Sequence, residues 1–162
     1  MVNSLSTEPG AKEAQAVMAK LVSFADSARD RFIVMAAFQN GLSASDLAAL
    51  KIGDYPLEPW MGFETASGHV GKCRYGVSTP ETCGYLMAYL EKREGQVGEP
   101  LLVGKRGVFL DVKEVNKVLK GVIHRSGLDR IRGFSAKCLQ RGFEATLRCS
   151  ENYARVLDIL LS

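Results

Sequence analysis

The sequence predicts a mainly helical α+β domain carrying one small β-hairpin. Three observations predict it. Apolar residues recur at helical spacing through most of the 162-residue chain. One middle stretch, residues 60–78, reads instead as two short strands around a glycine-rich turn. Capping residues and prolines stand where helices should begin, and glycines stand where they should stop.

The elements follow in order. Ala14, Val17, Met18, Leu21, Val22 and Ala25 form one apolar stripe, which predicts a helix over residues 11–25. Residues 30–39 are almost wholly apolar from Phe32 to Phe38, so this helix should be buried on every side. Asn40-Gly41 stops it, because glycine tolerates the left-handed cap conformation. Ser43 then reads as an N-cap, with Asp46 as a short stand-in for the glutamate of a capping box, and a brief helix to Leu50 follows. The prolines of Tyr55-Pro56-Leu57-Glu58-Pro59 exclude a helix interior and mark a loop.

The two strands are expected at residues 60–65 and 73–78, joined by a turn over 66–71. Thr79-Pro80 opens a helix to about Arg93, with Tyr85, Leu86, Tyr89 and Leu90 on its apolar stripe. Residues 94–100 are a loop, and 101–103 and 108–110 are short extended pieces around a basic turn. Asp111 caps a helix whose apolar set is Val112, Val115, Val118, Leu119, Val122 and Ile123, and Gly127 ends it. Gly133-Phe134-Ser135 leads into a helix through Leu139, Phe143 and Leu147, and a last apolar segment spans 153–161. The expected organisation is a flexible tail at residues 1–10 and a single domain over 11–162.

Composition bounds the class. Hydrophobic content of 46% and charged content of 24% are those of a soluble globular protein. No apolar run reaches the length of a membrane span, and residues 1–10 carry no secretory h-region, so no membrane partner is expected. Cys73, Cys83, Cys138 and Cys149 show no metal-ligand spacing, and His69 and His124 are the only imidazoles. The reading is a cytoplasmic chain with reduced thiols, no metal and no cofactor. There is no P-loop, dinucleotide-binding glycine motif or nucleophile elbow. The net charge of +3 is unevenly spread. Residues 1–102 hold 9 Lys or Arg against 12 Asp or Glu, whereas residues 103–162 hold 12 against 6. A basic C-terminal part suits either a nucleic-acid surface or a solvated helix face.

The stretch from Phe38 to Asp54, with Gly41, Leu42, Asp46, Leu50, Lys51 and Asp54, resembles the first signature of the tyrosine recombinase (phage integrase) family. The resemblance covers residues 26–162 and is closest to integrases of archaeal type. Two further pieces carry it. One is the run Tyr75-Gly76-Val77-Ser78-Thr79-Pro80-Glu81 from hairpin into helix. The other is Tyr89-Leu90-Glu91-Lys92-Arg93 followed by Gly98-Glu99. It implies a tyrosine-recombinase catalytic-domain-like fold. It also implies a chemistry in which a tyrosine attacks DNA phosphorus, two arginines clamp the transition state, a hairpin lysine protonates the leaving oxygen and histidines assist.

Carried over position by position, that resemblance implies a degenerate site. Ser43 stands where the first arginine belongs, and its plain role is an N-cap. Lys137 stands for the histidine and Gln140 for the second arginine of the His-x-x-Arg motif, with Arg141 one residue late, about 100° around the helix. Lys72 is either the hairpin lysine or a solvated turn charge. The later histidine and the nucleophilic tyrosine are expected past Ser162, so the domain should lack the C-terminal tyrosine segment. The expectation is a pseudo-enzyme, a remnant or regulator of DNA recombination from a mobile element. Its expected partner is duplex DNA, bound modestly and salt-dependently through Lys72, Arg74, Lys105, Arg106, Arg132, Lys137, Arg141 and Arg148. The alternative is an interaction module that pairs with itself or a related recombinase through the helix bearing Leu157, Leu160 and Leu161.

Overall fold

In the computed structural model of the protein, residues 18–66 and 73–130 are described, with backbone alone at 65, 66 and 73–75. They form helices α1 (Ala28–Asn40), α2 (Ala44–Ala49), α3 (Pro80–Arg93) and α4 (Val112–Ser126), and a 3-10 turn (Leu128–Arg130). Strands β1 (Gly62–Ala66) and β2 (Cys73–Val77) pair as an antiparallel hairpin. Residues 18–22 are also helical and form the end of the first expected helix, whose residues 11–17 lie outside the described residues. The expected helices beyond residue 130 lie outside them too.

Helix α1 is the centre. Phe32 to Phe38 are seven consecutive buried residues, so no side of the helix faces water there. Helices α3, α4 and α2 all pack on it. Ser27 opens α1 by accepting the Asp30 N–H at 3.1 Å. Gly41 closes it at φ 68°, and its N–H donates to the Ala36 carbonyl. A side chain at that backbone angle costs about 1 kcal/mol, which explains the glycine.

The last two residues of α1 tie the hairpin and α3 to it. The Gln39 side-chain oxygen accepts from the Thr79 hydroxyl at 2.6 Å and the Thr82 hydroxyl at 2.9 Å, at the start of α3. Asn40 donates to the Val77 carbonyl at 2.9 Å and accepts from the Tyr55 hydroxyl at 2.7 Å. The Tyr55 ring meets Phe32 edge-on at 5.2 Å and Phe63 of β1 at 4.5 Å. Phe63 lies over its cross-strand partner Gly76, where a Cβ would stand 2.5 Å from the ring. This packing accounts for a glycine inside a strand.

The hairpin begins later than the sequence suggested. Trp60 and Met61 precede β1, and Trp60 has φ 64° with 70% of its surface exposed. The buried Ser78, just past β2, holds this turn. Its hydroxyl donates to the Glu58 carbonyl at 2.6 Å and accepts from the Met61 N–H at 3.1 Å. Those bonds bind the proline loop to the strand end, and the Trp60 N–H to Ser78 (2.8 Å) and Ser78 N–H to Met61 (2.9 Å) backbone bonds set two residues opposite one there, as in a bulge. Leu57, Trp60, Met61 and Val77 are left exposed around it.

A second tie joins residues 50–52 to 98–101. The Leu101 N–H donates to Leu50, the Ile52 N–H to Glu99, and the Gly98 N–H to Ile52. The Asp54 carboxylate accepts from the Lys51 N–H at 2.8 Å and closes the turn between them. Two side chains then fasten the following segment. The Tyr89 hydroxyl donates to the Leu101 carbonyl at 2.9 Å and accepts from the Val103 N–H at 3.0 Å. Arg93 reaches the Pro100 carbonyl at 2.8 Å and lies 3.6 Å from the Glu99 carboxylate. The predicted extended pieces pair at a single antiparallel bridge, Val103 with Phe109.

Helix α4 matches its predicted pattern except at Val112, which is 41% exposed. Its core face is Val115, Leu119, Val122, Ile123 and Ser126. Asp111 caps it by accepting the Glu114 N–H at 2.9 Å, and Gly127 ends it at φ 83°.

Tyr89→Phe should lower stability by about 1–3 kcal/mol, because the Val103 N–H loses its partner and the Leu101 carbonyl keeps only Arg93 Nε at 3.3 Å. Urea unfolding monitored by circular dichroism should show a lower midpoint at unchanged slope. Burial also pushes the hydroxyl of Tyr55 well above the ordinary tyrosine value. Burial pushes up Tyr89 and the Cys83 thiol as well, with contacts to Val103 and Arg93 partly offsetting it at Tyr89. These groups stay neutral in the folded chain at pH values where the unfolded chain ionises. Their contribution is therefore complete below the unfolded-state values, about 8.5 for the thiol and about 10 for the two tyrosines, and is lost progressively as pH rises past each. Tyr55→Phe should make that alkaline fall shallower, as read from urea midpoints measured between pH 7 and 11.

Candidate nucleic-acid interface

Ser43 is built into a helix start. Its hydroxyl accepts from the Asp46 N–H at 3.1 Å while the Asp46 carboxylate accepts from the Ser43 N–H at 2.9 Å. This is the reciprocal capping box expected from the sequence. Asp46 is buried and Ser43 half-buried. The position that the family resemblance assigns to a phosphate-clamping arginine thus holds a short neutral side chain whose oxygen caps a helix.

The other motif positions among the described residues serve the same framework. Gly41 and Leu42 turn the chain into α2, and Leu42 and Leu50 are buried. Asp54 closes the turn after α2, and Tyr89, Arg93 and Glu99 hold the 99–103 segment.

Cations divide into two groups. The first group is consumed by backbone carbonyls. Arg29 donates to Val103 at 3.0 Å, Arg31 to Ala25 at 3.3 Å, and Arg93 to Pro100. Arg125 donates through Nε and Nη2 to Phe24 at 3.1 and 3.0 Å. The second group faces water. Lys105 and Arg106 form an exposed tip between Gly104 and Gly107, closed by Gly107 N–H to Gly104 (3.0 Å) and Gly104 N–H to Val108 (2.8 Å). Lys113, Lys117 and Lys120, with His124 beyond them, are exposed along α4 at steps of four, three and four residues. That spacing sets them on one stripe, directly opposite the buried Val115, Leu119, Val122 and Ser126. Among the described residues these three lysines, Lys105 and Arg106 make no ion pair. Near the end of the stripe His124 Nδ1 and Asp129 are 2.6 Å apart.

Residues 103–130 therefore carry seven Lys or Arg against three Asp or Glu. Of the sequence-predicted contacts, Lys105 and Arg106 are brought together at the tip. Ser43 belongs elsewhere, since α2 packs against α4 through the core side. Arg74 lies on β2 opposite Thr65, with only its backbone described. Lys72, Arg132, Lys137, Gln140, Arg141 and Arg148 lie outside the described residues, as do residues 153–161. The α4 stripe was missed by sequence reasoning, which followed the apolar face of this helix alone. The lysine spacing was a readable signal.

Among the described residues no three His, Cys, Asp or Glu side chains converge as a metal site. No described helix is long and apolar enough to cross a membrane. Cys83 is buried, with its thiol 3.4 Å from the Pro56 carbonyl.

The fold is similar to that of XerA recombinase in its crystal structure, with a TM-score of 0.65 and 22% sequence identity. The match covers 93% of this chain and 54% of that one, so this chain spans about half the length of that protein. No protein-family model matches the sequence, and no curated protein matches it. The likeness establishes a recombinase-like α+β fold, the class expected from the sequence.

Ser43→Ala should cost about 1 kcal/mol of stability through the lost cap. Equilibrium urea unfolding checks this, and circular dichroism at 25 °C should show an unchanged native spectrum.

Proposed function

We propose that this chain is a non-catalytic, integrase-like DNA-binding domain of archaeal type, a regulator or remnant of site-specific DNA recombination. The observation that carries the DNA-binding part is the exposed cation surface of the 104–107 tip and the α4 stripe, which makes no ion pair among the described residues, on a recombinase-like fold. Lysines spaced along one exposed helix face meet a phosphate backbone as point charges. Such contacts need distributed charge and not one catalytic geometry, so they outlast the chemistry.

The non-catalytic part is supported by Ser43 in the place of a clamping arginine, and by Lys137 and Gln140 at the next motif. Loss of one transition-state donor costs about 10²–10³ in rate in other enzymes, and here two arginine positions are changed.

The test is fluorescence anisotropy with a labelled 30-base-pair duplex at 50 and 200 mM salt. Three or four phosphate contacts should weaken binding about 40- to 150-fold between those conditions. Lys117→Glu combined with Lys120→Glu should reduce affinity about tenfold or more at 50 mM, with Ser43→Ala within twofold of the parent chain. No binding at 50 mM, or binding indifferent to salt, would sink the DNA reading. A covalent protein–DNA adduct trapped on a nicked duplex would overturn the non-catalytic reading.

A further inference from the structure

The basic tip does not stand alone. Val108 is 63% exposed, Phe109 57% and Val112 41%, all within a few residues of Lys105, Arg106 and Lys113. Single exposed apolar residues are ordinary, but an aromatic ring more than half exposed, a few residues from two exposed cations that make no ion pair among the described residues, is not what a solvated loop requires.

The ribbon that presents them is firmly seated. Leu101, Leu102 and Leu110 are buried at its base, and the Leu110 N–H donates to the Leu102 carbonyl at 2.9 Å. Val103 is held at its N–H by Tyr89 and at its carbonyl by Arg29. The bonds on either side of the Val103–Phe109 pair make it the close, non-hydrogen-bonded kind, which places both side chains on one face of the ribbon. Phe109 is therefore displayed from a fixed backbone, with more than half its surface in water.

A partner for this patch must offer negative charge and an apolar plane within one ribbon width. An intact duplex offers phosphates but keeps its base faces stacked inside. Unpaired DNA offers both, because a splayed base stacks on an aromatic ring while its backbone meets the cations. We infer that the 104–109 ribbon recognises DNA with locally unpaired bases, Phe109 stacking on a base while Lys105 and Arg106 hold the flanking phosphates. This rests on the DNA-binding reading above and names the form of DNA that the surface prefers.

The test compares three labelled oligonucleotides of one sequence: an intact duplex, a duplex with a central three-base mismatch bubble, and the single strand. Anisotropy at 100 mM salt should show the bubble and single strand bound about tenfold more tightly than the duplex. Phe109→Ala should abolish that preference and leave duplex affinity within twofold, while Phe109→Trp keeps it. Because Phe109 is largely exposed, circular dichroism and the urea midpoint should match the parent chain. Equal affinity for all three forms, or a preference untouched by Phe109→Ala, would overturn the inference while leaving the DNA reading standing. No binding to any of the three would overturn both. Self-association lost in Phe109→Ala, with no oligonucleotide preference, would assign the patch to a protein partner and overturn the inference.

Discussion

Between Phe32 and Phe38 helix α1 has no face that tolerates water, and the surrounding architecture follows from covering it. A helix apolar on one stripe needs one neighbour, whereas a helix apolar all round needs a ring of them. Helices α3, α4 and α2 supply that ring. Where the helix ends, the apolar demand stops within one residue and the amides of Gln39 and Asn40 take over. They fix the start of α3, the end of β2 and the Tyr55 hydroxyl to the same point. Among the described side chains the hairpin meets the core through Phe63, which packs on Tyr55, so its position depends on that polar joint.

This division extends to the stretch whose pattern resembles the recombinase signature. The residues that match the signature are those the backbone needs. Gly41 accepts a left-handed angle, Asp46 closes a cap and Asp54 closes a turn. Tyr89 and Arg93 satisfy carbonyls that would otherwise be stranded. Changing Gly41 strains the chain, and changing Asp46 or Tyr89 leaves a polar group unpartnered away from water, at about 1–3 kcal/mol each. Ser43 serves the same framework through its reciprocal cap with Asp46.

Local patterns were legible in the sequence and distant pairings were not. The burial of α1, the caps at Ser43, Thr79 and Asp111 and the stop at Gly127 all follow from spacings within a few residues. The late start of β1 was hidden, because the bond from Ser78 to Glu58 crosses twenty residues and leaves no local trace. The arginines were hidden for the same reason. Arg29 meets Val103 and Arg125 meets Phe24, partners 74 and 101 positions away. A count of positive charges cannot separate such carbonyl clamps from cations available to a ligand. The tip at Lys105-Arg106 was legible because two glycines flank it, and the α4 lysines were legible in principle from their spacing.

Trp60 is the chain's single tryptophan, and it already stands in water in the native state. Its indole will therefore emit as a hydrated fluorophore whether or not the core is intact. Hydration of this fluorophore therefore changes little when the core around α1 melts. It reports instead on the turn held by Ser78, where the backbone around Trp60 is bonded on both sides. A change in its emission in the folded chain therefore reads out what covers or releases that turn.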